Sequence, residues 1–394
     1  MTRGYLIGKN CWYTKILALT LAIFAPASNA VWMYNGPPLE TVTDFALAPN
    51  TMRVLATATD PNRGIWTSGN SGATWVRPDN TQIFNGAGVK TDDFNRTLAG
   101  VSDGVIEVSS NIVGPWSASA GSAINTSWII EFSLSEFNTV YAAGYTMGTN
   151  SGILQKSTDA GDSWASSAIG GDPDPPTFSL AIAPTDANTV YVGAKPSAAS
   201  DGLYKSIDGA ASWDYVSALN ITQVDALAVD PVDLDYVYAG TSSLGLIQRS
   251  ADGGASWAIL HDPNNGGVTG FTSVLGLAIN PADRRIIYAV GGSGTTKVIV
   301  STDCGASWAN VPATGLDSGL PTKAVLDPIN GLVIVRTDAG AMYQEVLLTT
   351  ATGDCDPDTG FPRSRGGSGA FDSLLLGMLM LIGVVRYRKR LISA

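Results

Sequence analysis

A block of the form Ser-x-Asp-x-Gly-x-Ser/Thr-Trp recurs along this chain, and a turn that repeats with its own tryptophan admits few architectures. The block stands complete at Ser157–Trp164, Ser250–Trp257 and Ser301–Trp308. Ser68–Trp75 carries Asn70 at the Asp position, Ser206–Trp213 carries Ala210 at the Gly position, and Ser109–Trp116 keeps little more than its ends. Successive block tryptophans lie 41, 48, 49, 44 and 51 residues apart, and Trp32 lies 43 before Trp75. A period of this size marks one supersecondary unit, repeated until neighbours bury one another. The residues within the block have structural roles. Asn70, Asp159, Asp208, Asp252 and Asp303 can accept backbone amides two residues on, the leading serine caps the same turn, and the glycine takes a positive φ. Trp75, Trp164, Trp213, Trp257 and Trp308 then open the next strand and offer a large ring to a contact between sheets.

The same frame surrounds each block. An apolar strand runs into a Pro turn (Leu180–Pro184, Leu227–Pro231, Leu277–Pro281) and an aromatic strand follows (Val190–Val192, Val237–Ala239, Ile287–Ala289). A Gly-rich loop, a third strand, the block and a fourth strand complete the unit. Four short strands per repeat predict the blade of a β-propeller. Ala324–Leu326, Leu332–Arg336 and Met342–Val346 give three strands with no block after them, while Val31–Tyr34 is an outer strand without a blade. The first strand of the mature chain would complete the last blade, closing the ring and removing exposed sheet edges. The expectation is an all-β, seven-bladed propeller over residues 31–350; the degraded second repeat leaves six or eight open.

The blocks resemble the Asp boxes of the BNR-repeat, sialidase-like propeller superfamily. That resemblance implies boxes on the face opposite any active site, with their aspartates neither catalytic nor metal-binding. The single ring is closest in size to propellers resembling photosystem II assembly and stability factors, which implies binding to partner proteins. Members resembling xyloglucanases pair two propellers around a cleft and need a much longer chain. Sialidases use an arginine trio, a Tyr/Glu nucleophile pair and an Arg-Ile-Pro motif; no Arg-Ile-Pro occurs here, and the arginines present fall mostly in turns or hairpins.

Both ends read as export signals. Arg3, Lys9 and Lys15 precede an apolar run, Ile16–Phe24, and Ser28-Asn29-Ala30 offers a small-residue cleavage site, so residues 1–30 read as a signal peptide cut after Ala30 or, alternatively, an uncleaved anchor. An acidic, then Gly-rich linker (351–370) leads to a short transmembrane helix and basic end (371–394). Gly366 and Gly367 stand before the apolar Phe371–Val385, and Arg386, Arg388, Lys389 and Arg390 follow it. This end resembles a GlyGly-CTERM sorting tail, which implies cleavage near the glycines by a rhomboid-type sorting protease; an ordinary tail anchor is the alternative. The expected location is the inner membrane in transit, then the periplasm, cell surface or medium. Two cysteines remain after signal removal, Cys304 and Cys355, a possible disulfide in an oxidising compartment.

Between Val31 and Arg365 there are 33 Asp/Glu against 16 Lys/Arg, a net charge near −17, which repels phosphate backbones and argues against nucleic acid. The lone histidine, His261, cannot build a His metal cluster and reads as a surface loop residue; neither a metal nor another cofactor is expected. Aligning the inner strands puts Asp44, Glu131, Ser179, Ala226, Gly276 and Lys323 in one column near the propeller's rim, with Asp225 one residue earlier. Asp44, Glu131 and Asp225 could supply the acid and base of glycoside hydrolysis, or merely a hydrated rim. The primary expectation is a binding module for protein or glycan, working through the upper loops Pro61–Gly64, Tyr145–Gly152, Gly171–Pro176, Lys195–Gly202, His261–Thr272 and Ala313–Pro321. A glycoside hydrolase using the rim carboxylates is the alternative.

Overall fold

The computed structural model describes residues 32–355 apart from short connecting stretches, the longest being 78–85, 122–128 and 170–176. Residues 1–31 and 356–394, which carry the expected signal and sorting segments, lie outside the described residues. No helix among the described residues is long and apolar enough to cross a membrane.

The chain opens with β1 (Met33–Tyr34) and then builds seven antiparallel sheets. Blade 1 holds β2 (Val42–Leu47), β3 (Val54–Ala58) and β4 (Gly64–Ser68), with a single Thr67–Val76 bridge at the fourth position. Blade 2 is β5 (Gly86–Thr91), β6 (Thr97–Val101), β7 (Ile106–Ser109) and β8 (Ser117–Ala118). Blade 3 is β9 (Ile129–Phe132), β10 (Val140–Thr146), β11 (Ser151–Ser157) and β12 (Ala165–Ser167). Blade 4 is β13 (Thr177–Ala183), β14 (Asp186–Ser197), β15 (Ser200–Ser206) and β16 (Asp214–Tyr215). Blade 5 is β17 (Ala226–Val229), β18 (Val237–Gly240), β19 (Ile247–Ser250) and β20 (Ala258–His261). Blade 6 is β21 (Val274–Ile279), β22 (Ile287–Ser293), β23 (Thr296–Ser301) and β24 (Ala309–Val311). Blade 7 joins β25 (Pro321–Asp327), β26 (Leu332–Thr337) and β27 (Met342–Val346) to β1, which pairs Met33 with Gln344 and Tyr34 with Tyr343. Inner strands touch from blade to blade around the circle, β2 meeting both β5 and β25.

Apolar side chains from adjacent blades form seven separate clusters, one at each junction, and each contains one tryptophan of the repeat. Trp164 lies among Leu98 and Ile106 of blade 2 and Phe132 and Val140 of blade 3. Trp75 fills the junction of blades 7 and 1, and Trp116 that of blades 1 and 2. Trp213, Trp257 and Trp308 fill the next ones. Trp32, only 2% exposed, occupies the junction of blades 6 and 7, donating its indole N–H to Pro312 O. Trp32 is therefore the seventh copy of a part that otherwise comes with a box. Each fully packed ring is worth about 3–5 kcal/mol by the cost of truncation to alanine.

The boxes differ in detail from the turn expected. The carboxylate reaches four residues on rather than two. Asp252 Oδ1 accepts the Ser256 amide at 2.8 Å and the Ser250 hydroxyl at 2.8 Å, while Oδ2 accepts the Ser256 hydroxyl at 2.6 Å. The leading serine takes the amides two and four residues on, Ser250 Oγ accepting from Gly254 N at 2.7 Å. Two consecutive residues turn left-handed, at φ 66° and 98° for Gly253 and Gly254 and at 60° and 89° for Cys304 and Gly305. The Gly209–Ala210 box holds the same shape at 72° and 69°, so Ala210 occupies a conformation that ordinarily belongs to glycine. The degraded Ser109 box keeps only the serine half, with the Asn111 amide on Ser109 Oγ.

Buried tyrosines of the second strands stitch blades 3 to 6 each to the next, beginning with Tyr141, which donates to Ala187 O at 2.9 Å. Tyr191 donates to Gly253 O at 3.1 Å and Tyr238 to Cys304 O at 3.4 Å, both carbonyls lying in the following blade's box. Blade 7 has no box, and there Tyr288 accepts the Leu348 amide instead. The arm from Leu347 to Cys355 thus takes the missing box's place, and a Cys304–Cys355 disulfide, with Cα atoms 5.0 Å apart, fastens it to the box of blade 6.

Candidate functional site

The boxes follow the third strands, at the ends where the inner strands finish; Ser68, for example, pairs with Val54, which pairs with Leu47 at the end of β2. Near the opposite ends the inner strands line a central cavity of about 310 Å³. Its wall includes Asp44, Glu131, Ser179, Asp225, Ala226, Gly276, Lys323 and Arg336, contributed by six of the seven blades. The aligned column of the sequence therefore faces one space. This follows from strand geometry: residues at equal register on equivalent strands occupy equal positions around a ring.

Contacts within the wall separate its carboxylates into two kinds. Lys323 Nζ donates to Asp44 Oδ1 at 2.6 Å and to Phe45 O at 2.8 Å, while Asp44 Oδ2 accepts the Val89 amide at 2.9 Å. Lys90 Nζ lies 2.5 Å from Glu131 Oε2. Both pairs are partly exposed, their lysines 33% and 29%, so they act more to fix geometry than to stabilise the fold. Asp225 has uncharged donors, the Ser242 amide at 2.7 Å and the Gln223 side-chain amide at 2.5 Å. No group of three or more His, Cys, Asp or Glu suited to a metal ion occurs among the described residues.

Arg336 escaped the sequence reading, which set the arginines mostly in turns and hairpins. It lies within β26, directly opposite Lys323 on β25, and lines the cavity. Its Nε donates to Val42 O and one terminal nitrogen to the Thr322 hydroxyl, each at 2.8 Å. Burial pulls its guanidinium below the usual arginine range, against the opposing pull of Asp44 and Asp338. The available signal was the strand pattern Leu332–Arg336, whose alternation puts Arg336 on the face of Ile334 and Leu332.

His261 also differs from the expectation. It ends β20 as a buried residue, 1% exposed, rather than lying on the surface. One ring nitrogen, Nδ1, lies 2.8 Å from Gly245 O, and Nε2 accepts the Val268 amide at 3.0 Å. The ring packs edge-on against Phe271 and Trp308. Accepting from an N–H requires an unprotonated Nε2, so Nδ1 carries the hydrogen and donates. Burial lowers the histidine's pKa, with Asp262 pulling the other way. His261 thereby pins the loop 262–273 to the body of blade 5. The Lys195–Gly202 and Tyr145–Gly152 segments, expected as loops, are largely hairpin: Ser197 pairs with Ser200 and Thr146 with Ser151. Gly171–Pro176 and most of Pro61–Gly64 lie outside the described residues.

Comparison with known proteins points in one direction by sequence and in two by shape. No protein-family model matches the chain. A xyloglucanase of a Paenibacillus species is 30% identical over 171 residues, covering 39% of this chain and 16% of that protein. A xyloglucanase of Hypocrea jecorina (strain QM6a) is 28% identical over 220 residues, covering 53% of this chain and 23% of that protein. The chain thus spans less than a quarter of the curated relatives it matches. Among solved structures, an ancestral GH74 enzyme superposes with a TM-score of 0.63 at 18% identity, over 80% of this chain and 46% of that one. YCF48 bound to a D1 peptide superposes at 0.58 and 15% identity, over 81% of this chain and 98% of that one. Both likenesses support the seven-bladed ring.

Proposed function

We propose that this chain is a polysaccharide-directed propeller of the glycoside hydrolase kind, which takes a β-glucan of the xyloglucan class at the mouth of its central cavity. The observation that carries this reading is the sequence match to xyloglucanases, at a level the single-ring shape alone does not explain. The polar wall of Asp44, Glu131, Ser179 and Asp225 suits a ligand made of hydroxyl groups. This reading takes the alternative, a glycoside hydrolase, over the primary expectation of a binding module for protein or glycan.

Hydrolysis of a glycoside needs one carboxyl that gives a proton and one carboxylate that acts on the other face of the sugar. Asp225, touched by uncharged donors, is the acid candidate. Asp44, fixed by Lys323 and the Val89 amide, is the candidate base or nucleophile. Capture of the glycan without cleavage is the second reading, favoured by the lysines already seated on Asp44 and Glu131. The test is to incubate the mature protein with tamarind-type xyloglucan and measure both gel retardation and new reducing ends. Reducing ends abolished by Asp225→Asn and Asp44→Asn establish a hydrolase; retardation alone establishes capture; neither refutes the proposal.

The ring works outside the cytoplasm. Two features support this: the basic, apolar and small-residue order of residues 1–30, and a cysteine pair bonded as oxidising compartments permit. Release from the membrane by cleavage near Gly366 or Gly367 belongs to the same proposal.

A further inference from the structure

One pair of residues in the cavity wall breaks a rule the rest of the ring obeys. Lys323 and Arg336 are direct cross-strand partners on neighbouring strands of blade 7, and both face the cavity. Like charges in directly opposed positions destabilise a sheet. The equivalent pairs in other blades are Asp44 with Thr57, Glu131 with Tyr141, Ser179 with Gly193, Ala226 with Gly240 and Gly276 with Val290. Blade 7 alone among these sets cation against cation, in a chain whose net charge is −11.

Asp44 and Asp338 act on Arg336 through space, but only Lys323 of this pair is in contact with a carboxylate. Asp44 sits on Lys323 at 2.6 Å. Arg336 has no carboxylate at ion-pair distance among the described residues; its hydrogen bonds go to the Val42 carbonyl and the Thr322 hydroxyl. A guanidinium carries five N–H donors, so several remain for another partner. Those two bonds also hold the planar group in place, which reduces the ordering cost of forming a bidentate contact. A fixed, half-desolvated cation with donors to spare, beside a second cation, is an arrangement that gains from an anion entering the cavity.

We propose that Arg336, with Lys323 beside it, seats a carboxylate of the glycan, so that the ligand is a largely neutral polysaccharide bearing isolated uronic-acid residues. This inference rests on the reading that the cavity mouth takes a glycan. Its emphasis on isolated charge comes from the surroundings. Asp44, Glu131 and Asp225 line the same cavity, and a polyuronate with a carboxylate on every sugar would meet them. A single carboxylate at Arg336 is matched; its neighbours along such a chain are repelled.

The test is calorimetric titration of the mature protein with a xyloglucan oligosaccharide carrying one glucuronic-acid side chain and with the same oligosaccharide after carboxyl reduction. The wild type should bind the acid about tenfold or more tighter, the range of a charge-assisted hydrogen bond. In Arg336→Gln the ratio should fall to about one; Arg336→Lys should retain part of the preference. Equal binding of the two oligosaccharides by the wild type, or a preference surviving in Arg336→Gln, overturns the proposal. Binding of neutral xyloglucan without an acid preference would sink the carboxylate seat and leave the proposed function standing. Failure of every glycan, while free D-glucuronate still shifts the Arg336 Nε–H resonance, would sink the proposed function and keep the seat. Failure of glycans and glucuronate alike sinks both.

Discussion

Reduction of the Cys304–Cys355 bond should release the arm that replaces the seventh box, and the size of the effect follows from where the bond lies. The two cysteines are 51 residues apart, and the segment between them contains β24 and the three strands of blade 7 that β1 completes. A crosslink closing a loop of that length removes about 4 kcal/mol of conformational freedom from the unfolded chain. For a ring spanning about 320 residues, with unfolding entropy near 2.1 cal/mol/K per residue, that corresponds to a melting shift of about 6 °C. Cys304 is buried at a left-handed position of its turn, so replacing it would mix two effects. Cys355→Ser and reduction of the wild type are the cleaner perturbations. Scanning calorimetry with and without reductant should give the same downward shift for both, and the variant should be insensitive to reductant. A shift below about 1 °C in both would refute the reasoning, since the arm would then be held by the packing of Leu347 and Leu348 without help from the bond.

The remaining predictions concern the turns, the histidine and the tail. Asp252→Ala removes an acceptor of one amide and two hydroxyls and should cost about 1–2 kcal/mol in urea unfolding, whereas Asp252→Asn should be nearly neutral. Blade 1 works that way already, Asn70 accepting the Thr74 amide at 2.8 Å. Gly161→Ala should lose about 2 kcal/mol by the same assay, because φ is 94° and a Cβ would lie 2.4 Å from Leu98, while Ala210→Gly should change stability by less than about 1 kcal/mol. His261 is held neutral, so its folded pKa lies below the unfolded value near 6.5; the unfolded chain takes up the proton first, and stability should fall as pH drops below about 6.5. His261→Gln should flatten the melting curve between pH 5 and 7. The box aspartates, Asp208 at about 2 among them, add stability above their unfolded pKa near 4 that is lost as pH falls toward 2, a second and steeper decline. Mass spectrometry of released protein should find a C-terminus near Gly366 or Gly367; an intact Arg390 would contradict processing.

Local rules were the readable part of this molecule. The serine, carboxylate, glycine and tryptophan of a box act within eight residues, so their turn could be recognised from the chain alone, though its hydrogen-bond reach of four residues could not. Trp32 was readable because spacing, rather than a box, marks it. What could not be read is whatever depends on side chains meeting across blades. Lys90 and Glu131 are 41 residues apart, and Lys323 and Asp44 are 279 apart, yet each pair meets in the cavity wall. No local pattern distinguishes those lysines from solvated ones. His261 was misplaced because Pro263 suggested that the loop had already begun, whereas β20 runs on to His261 and turns its ring inward between Phe271 and Trp308.

The composition of blade 7 has a consequence for the order of events in the cell. The strand made first, Met33–Tyr34, can be seated only after the strand made last, Met342–Val346, exists to receive it. Until then six sheets can stack in sequence while Trp32 lacks the wall of its pocket that blade 7 supplies. A chain interrupted before Met342–Val346 leaves the circle open and bares the apolar faces of blades 6 and 1 that blade 7 covers.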